Sequence, residues 1–227
     1  MKKHKIYFLF IIGTAIFLFN VVVFDLGLFN SRKMPKDFDY GSWYGSTYKN
    51  DFFGFSITLP QDWHIVGDEE YKVRMQVMLD ADFVDKDKMK KIVKNTDITT
   101  AKLICANRYT EEEAMEKEDF NSNFLLMSEN LSHDRKKYDL AEYVKVYHQK
   151  IGRAVRGVTV ISESRKMIGG REFASMKISL EIHDGITLYQ EHLIHVKNDF
   201  ALLFFLGWLN DSDKEQLDAI MDTLKWD

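Results

Sequence analysis

Residues 158–208 read as four long strand-forming runs separated by two-residue turn signals, and this meander limits the fold more than any other stretch. The runs cover 158–167, 171–183, 186–196 and 200–208, and the breaks are Gly169-Gly170, Asp184-Gly185 and Asn198-Asp199. These residue types accept positive φ, which a tight hairpin requires. Strands joined by so few residues have to run antiparallel. The last run, 200–208, is almost wholly apolar, so it is expected to be a central strand covered on both faces.

Elements before and after the meander supply the covering layers. Phe53-Gly54-Phe55-Ser56-Ile57-Thr58-Leu59 alternates apolar and polar residues up to Pro60, the pattern of a half-buried strand that proline ends. Asp62-Trp63-His64-Ile65-Val66 reads as a short strand, and further strands are expected over 99–107 and 123–129. Phe83, Met89, Ile92 and Val93 recur at rough helical spacing among charges, so 80–95 reads as a surface helix. Residues 110–119 hold five glutamates and one aspartate against one lysine and form either a short solvated helix or a loop. Over 140–155, Leu140, Tyr143, Val144, Tyr147 and Ile151 make one apolar stripe, with Asp139 and Glu142 as a capping box. Ser212 and Glu215 suggest a second box, opening a closing helix lined by Leu217, Ile220, Met221 and Leu224. The expected class is α+β: an antiparallel β-sheet flanked by helices on its faces.

The first forty residues differ in kind. Lys2, Lys3 and Lys5 precede residues 6–24, which contain no charge. An apolar run of about 18 residues or more is long enough to span a bilayer, and lysines ahead of it orient the N-terminus toward the cytoplasm. Residues 1–29 therefore read as a signal anchor with one transmembrane helix at 6–24, residues 30–46 as a tether, and 47–227 as an extracytoplasmic domain. A cleaved signal peptide is the rival reading. It calls for a shorter apolar core and a small-x-small site, whereas Asp25-Leu26-Gly27-Leu28-Phe29 places bulky residues there. A buried hydrophobic helix is the third possibility.

Tyr48-Lys49-Asn50-Asp51-Phe52-Phe53-Gly54-Phe55-Ser56-Ile57-Thr58-Leu59-Pro60, followed by Asp62-Trp63, resembles the opening of PsbP-like domains. The later order of strand, helix, glycine hairpin, long strands and closing helix is similar too, so the resemblance spans about residues 48–226. The stretch 69–96 and the acidic segment after Arg108 depart from it. The resemblance implies an antiparallel sheet sandwiched by helices. It also implies a non-enzymatic accessory or binding role, as in photosystem subunits and a Ran-binding nuclear protein. No catalytic residue set comes with it.

Cys105 is the one cysteine, which excludes an internal disulfide, and its apolar run makes it a small buried strand residue. His183, His192 and His195 fall on neighbouring strands, and a two-residue Asp184-Gly185 turn would set His183 opposite Ile186 and His195 opposite Ala174. Alternation puts His192 and His195 on opposite faces, so the three do not converge on a metal. Asp80, Asp82, Asp85 and Asp87 lack the glycine and final glutamate of an EF-hand loop and read as an acidic helix start. A net charge of -4 offers no footprint for nucleic acid. No cofactor is expected. The leading expectation is a non-enzymatic domain that binds a protein partner. The alternative is a small-molecule or ion binder whose pocket, between sheet and helix, draws on Trp63, His64, Tyr147, His195 and Trp208.

Overall fold

The computed structural model describes residues 34–80, 100–117, 119–132, 137–154, 158–183 and 186–227. The expected anchor, most of the expected 80–95 helix and the aspartates beyond Asp80 lie outside these residues. Among the described residues, no helix is long and apolar enough to cross a membrane. The strands are β1 (Ser42–Tyr44), β2 (Thr47–Asn50), β3 (Phe55–Thr58), β4 (His64–Ile65), β5 (Thr100–Asn107), β6 (Asn123–Asn130), β7 (Val158–Ile168), β8 (Arg171–His183), β9 (Ile186–Lys197), β10 (Phe200–Trp208) and β11 (Lys225–Trp226). The helices are α1 (Asp68–Asp80), α2 (Glu111–Lys117), α3 (Leu140–Ala154) and α4 (Asp211–Asp222).

Seven strands form one antiparallel sheet in the order β4-β5-β6-β10-β9-β8-β7, and β1-β2-β3-β11 form a second, smaller one. The fold is α+β with antiparallel sheets, as the sequence implies. β10 lies between β6 and β9, and all nine of its residues are buried. Its alternation divides the core in two. Ala201, Leu203 and Phe205 face Tyr143, Tyr147 and Ile151 of α3. Leu202, Phe204 and Leu206 face the smaller sheet and α4, through Tyr48, Phe55, Ile57, Leu217 and Ile220. One face of the large sheet is therefore covered by a helix, and the other by a second sheet together with a helix.

Three details differ from the sequence reading. The closing helix is capped by Asn210, whose side chain accepts from the Asp213 backbone N–H, and not by Ser212. Asn210 takes this place because its backbone is extended and its side-chain oxygen reaches the Asp213 N–H, whereas Ser212 already lies inside the helix. The β8–β9 ladder carries a bulge between Glu181 and His183, so Ala174 pairs with Ile194 and not with His195. Finally, residues 34–46 do not act as a tether. Phe38 is buried, Met34 and Trp43 pack on the core, and Ser42–Tyr44 is a strand. The α3 capping box forms as expected, with the Glu142 N–H donating to Asp139 Oδ1 at 2.8 Å.

The Gly169-Gly170 turn sits directly on the C-terminal strand. Both residues have positive φ, +56° and +78°. A Cβ on Gly169 would lie 2.7 Å from the Leu224 carbonyl oxygen and 2.9 Å from Trp226 Cδ1, whereas one on Gly170 would meet nothing within 4 Å. Gly170→Ala is expected to cost about 1–2 kcal/mol of left-handed backbone strain alone. Gly169→Ala should cost clearly more, because it also pushes β11 away. Urea unfolding of the two variants reads the difference, and equal losses would show that the turn does not support β11.

Candidate functional site

The five residues expected to share a pocket do not meet. Tyr147 is fully buried under α3, on one side of the large sheet. Trp63 and Trp208 belong to the core on the other side. His195 faces that second side too, with its ring centroid 5.0 Å from both Phe173 and Trp226. His64 lies at the sheet margin on β4 and is bound to Glu70 of α1. The sequence pattern marked these residues as aromatic or titratable, Tyr147 on a helix and the others on strands, but did not show that a seven-stranded sheet separates them.

Tyr147 has a definite partner in His192, which is fully buried on β9. Burial pushes the His192 pKa down to about 3, so the ring is neutral, and burial likewise raises the Tyr147 phenol well above its ordinary value. Tyr147 therefore donates to His192 Nδ1 at 2.8 Å, and the proton on Nε2 reaches Gln190 Oε1 at 3.1 Å. One turn earlier on α3, Tyr143 donates to the buried Glu129 carboxylate at 2.5 Å. These bonds fix α3 on the sheet. They lie in closed core, where a substrate has no access.

The accessible concavity lies elsewhere, at the β5 margin. An open cleft of about 310 Å³ is lined by Tyr40 and Trp43, by Ile65, Val66, Gly67 and Asp68, and by residues 102–105 of β5. β4 pairs only with Ala106 and Asn107, and the Val66 N–H adds a bond to the Cys105 carbonyl. Among the described residues, no strand pairs with the outer side of β5 from Ala101 to Ile104. The floor carries one ion pair, Lys102 Nζ to Asp68 Oδ1 at 2.5 Å, which lowers the Asp68 pKa. Burial raises the Cys105 thiol to about 11, so it is no thiolate nucleophile.

The opposite wall is held in place by buried polar groups of β2. The Tyr48 hydroxyl donates to the Tyr40 carbonyl at 2.7 Å, and Asn50 Nδ2 donates to the Asp39 carbonyl at 3.0 Å. Gly41, at φ +77°, passes so close to the Tyr48 ring that a Cβ would lie 2.3 Å from it. Tyr40 and Trp43 thus stand on a braced segment. Sequence reasoning missed this wall. The available signal was the aromatic density of Phe38, Tyr40, Trp43 and Tyr44, which is too high for a solvated linker.

Beside the cleft, α1 is tied to β4 and α2 by a chain of polar and charged groups. His64 Nε2 lies 2.8 Å from Glu70 Oε2, Arg74 Nη2 lies 2.6 Å from Glu70 Oε1, and Arg74 Nε lies 3.1 Å from Glu111 Oε1. Burial works against the Glu70 carboxylate, but the bonds from His64 and Arg74 outweigh it and its pKa is lowered. The chain orients α1 at the cleft rim. Among the described residues, no group of three or more His, Cys, Asp or Glu side chains is placed to hold a metal ion.

The buried His192 has a consequence in solution. Its folded pKa of about 3 lies below the ordinary 6.5, so its contribution to stability is present above pH 6.5 and is lost as pH falls toward 3. Between pH 6.5 and 4.5 the His192 share should remove about 1.4 kcal/mol per pH unit. Unfolding curves across that window should show the loss in the unaltered protein and a much flatter profile for His192→Gln. An unchanged slope would mean that this histidine does not titrate as described.

No family model and no curated protein matches this chain. Among solved structures, it is similar to cyanobacterial PsbP from Synechocystis, at 11% identity over 86% of this chain and 100% of that one, with a TM-score of 0.49. It is also similar to LpqN of Mycobacterium tuberculosis, a protein involved in cell envelope biogenesis, at 11% identity over 80% and 84% of the two chains and a TM-score of 0.43. A Bacteroides thetaiotaomicron protein matches at 13% identity and a TM-score of 0.43 over 81% of this chain and 48% of its own, so this chain spans about half the length of that relative. At these identities and TM-scores, the similarities assign no activity.

Proposed function

We propose that this chain is a membrane-anchored, extracytoplasmic and non-enzymatic binding module that holds an extended segment of a protein partner in the cleft beside β5. The observation that carries the reading is the coincidence of two features. Among the described residues, no strand lies on the outer side of β5 from Ala101 to Ile104, and an aromatic wall of Tyr40 and Trp43 faces the same cleft. An incoming strand would find backbone donors and acceptors along β5 and apolar surface for alternate side chains, the two components of strand addition. The rim supports this: Tyr40 is 57% exposed and Ile65 38%, an apolar grouping that water does not favour. The titratable floor groups, Lys102 and Asp68, neutralise each other, which suits binding better than proton transfer.

The membrane part of the proposal rests on the lysines at positions 2, 3 and 5 ahead of the charge-free run 6–24. The second reading, a small-molecule or ion ligand in the same cleft, is favoured by its volume of about 310 Å³, at the lower end of ligand pockets.

The test places a photo-crosslinking amino acid at position 40, at position 65 and, as a control, at the exposed Glu215 of α4, in the full chain in its host membranes. The proposal predicts one protein captured from positions 40 and 65 but not from 215, with the attachment confined to one short segment of that protein. Equal capture from all three positions overturns it. A small molecule recovered in native mass spectra, and lost with Tyr40→Glu, supports the second reading instead. Protease added to spheroplasts should digest residues 34–227, and their protection would overturn the extracytoplasmic placement.

A further inference from the structure

The other margin of the large sheet is β7, whose outer edge carries no strand among the described residues. It is eleven residues long, and Ile161, Ser162, Glu163, Ser164 and Arg165 are all exposed. Ile161 is 51% exposed and Met167 69%, the one near the start of the charged stretch and the other just after it. A long open edge with apolar side chains is a template for pairing with another strand. The charges decide which strand fits.

Two copies joined edge to edge by a dyad normal to the sheet must pair residues of the same face, so the paired numbers add to an even total. Centred on Ser164, this arrangement sets Glu163 of each copy opposite Arg165 of the other, and Ser162 opposite Lys166. Centred one residue earlier it sets Glu163 against Glu163, and one residue later Arg165 against Arg165. One register therefore gives two opposite-charge pairs, and its neighbours oppose like charges, which destabilises cross-strand pairing. The present partners of these groups do not prevent the exchange. Glu163 meets His148 at 3.0 Å with both side chains exposed, and Arg165 reaches Glu172 only at 3.8 Å. Lys166 stays bound to the buried Glu191 at 2.5 Å, which keeps it on the sheet face opposite to Glu163 and Arg165.

From this geometry we infer that β7 is a self-association edge, joining two copies of this chain antiparallel about Ser164 into one continuous sheet. The surface is separate from the β5 cleft, at the far margin of the sheet, and does not depend on the binding role proposed there.

Disulfide trapping tests the register directly, because the natural Cys105 is buried and gives no background. Facing residues of an antiparallel pair have Cα atoms about 4.5–5.5 Å apart, within disulfide reach. The full chain, solubilised in mild detergent and oxidised, should form a crosslinked dimer with Ser164→Cys. It should remain monomeric on the gel with Ser162→Cys, whose twin would lie about 13 Å away along the strand. In the Ser164→Cys background, Glu163→Arg or Arg165→Glu should each lower the crosslinked fraction about tenfold. The two together should restore it, which separates a lost charge match from a lost fold. No crosslink at position 164, equal crosslinking at 162, or failure of the combined exchange to restore pairing would overturn the inference.

Discussion

Burial of β10 on both faces is the constraint from which the rest of the structure follows. A strand with Leu202, Leu203, Phe204, Phe205 and Leu206 in sequence has no polar side to turn to water. Burying each such side chain is worth about 1.5–3 kcal/mol, so the chain must build a layer against each face. The α3 stripe of Tyr143, Tyr147 and Ile151 forms one layer. The other is assembled from both ends of the described chain: β1 to β3 from the N-terminal part, α4 and β11 from the C-terminal part. Pairing of β11 with β3, through Trp226 opposite Phe55, joins these two ends and closes the layer.

Two-sided burial also explains the polar groups in the core. β9, next to β10, places Glu191 and His192 on opposite faces, and both are fully buried. A buried polar group costs stability unless it is bonded, and each of these is. Burial opposes ionisation of Glu191, but hydrogen bonds from Lys166 and Ser175 and the charge of Lys214 outweigh it, so the carboxylate pKa is lowered. His192 takes the other course and stays neutral between Tyr147 and Gln190. These groups tie α4 and α3 to the sheet. Titratable residues of the core therefore act in placing the helices and have no contact with solvent chemistry.

The sequence displayed most of the fold because its signals are local. Gly169-Gly170 and Asn198-Asp199 carry the positive φ of tight turns, and the 140–154 stripe and its capping box depend on residues a few positions apart. What it did not display depends on distant contacts. The tether reading of 30–46 failed over 34–46 because the polar, mixed composition with Pro35 and Gly41 suggested solvent, while Tyr48 and Asn50 of β2 bind that stretch from within the core. The expected pocket failed for a related reason: strand alternation assigns a residue to a face, but not to a place along a seven-stranded sheet. The cleft requires β5, the β4–α1 turn and the Tyr40 segment to converge, and no short-range pattern encodes that meeting.

A sheet whose centre is closed by necessity can offer new contacts only at its margins, and the two margins of this one differ in character. At the β5 side, no strand among the described residues covers Ala101 to Ile104, and Tyr40, Trp43 and Ile65 flank the backbone there and reward apolar side chains of any sequence that can extend. At the β7 side, Glu163 and Arg165 alternate on one face, which penalises most incoming strands and favours one that carries the same charges in reverse order. An antiparallel copy of β7 has that order by symmetry alone. The apolar margin is thus suited to a foreign segment and the charged margin to the chain's own, and the same central strand keeps the two apart.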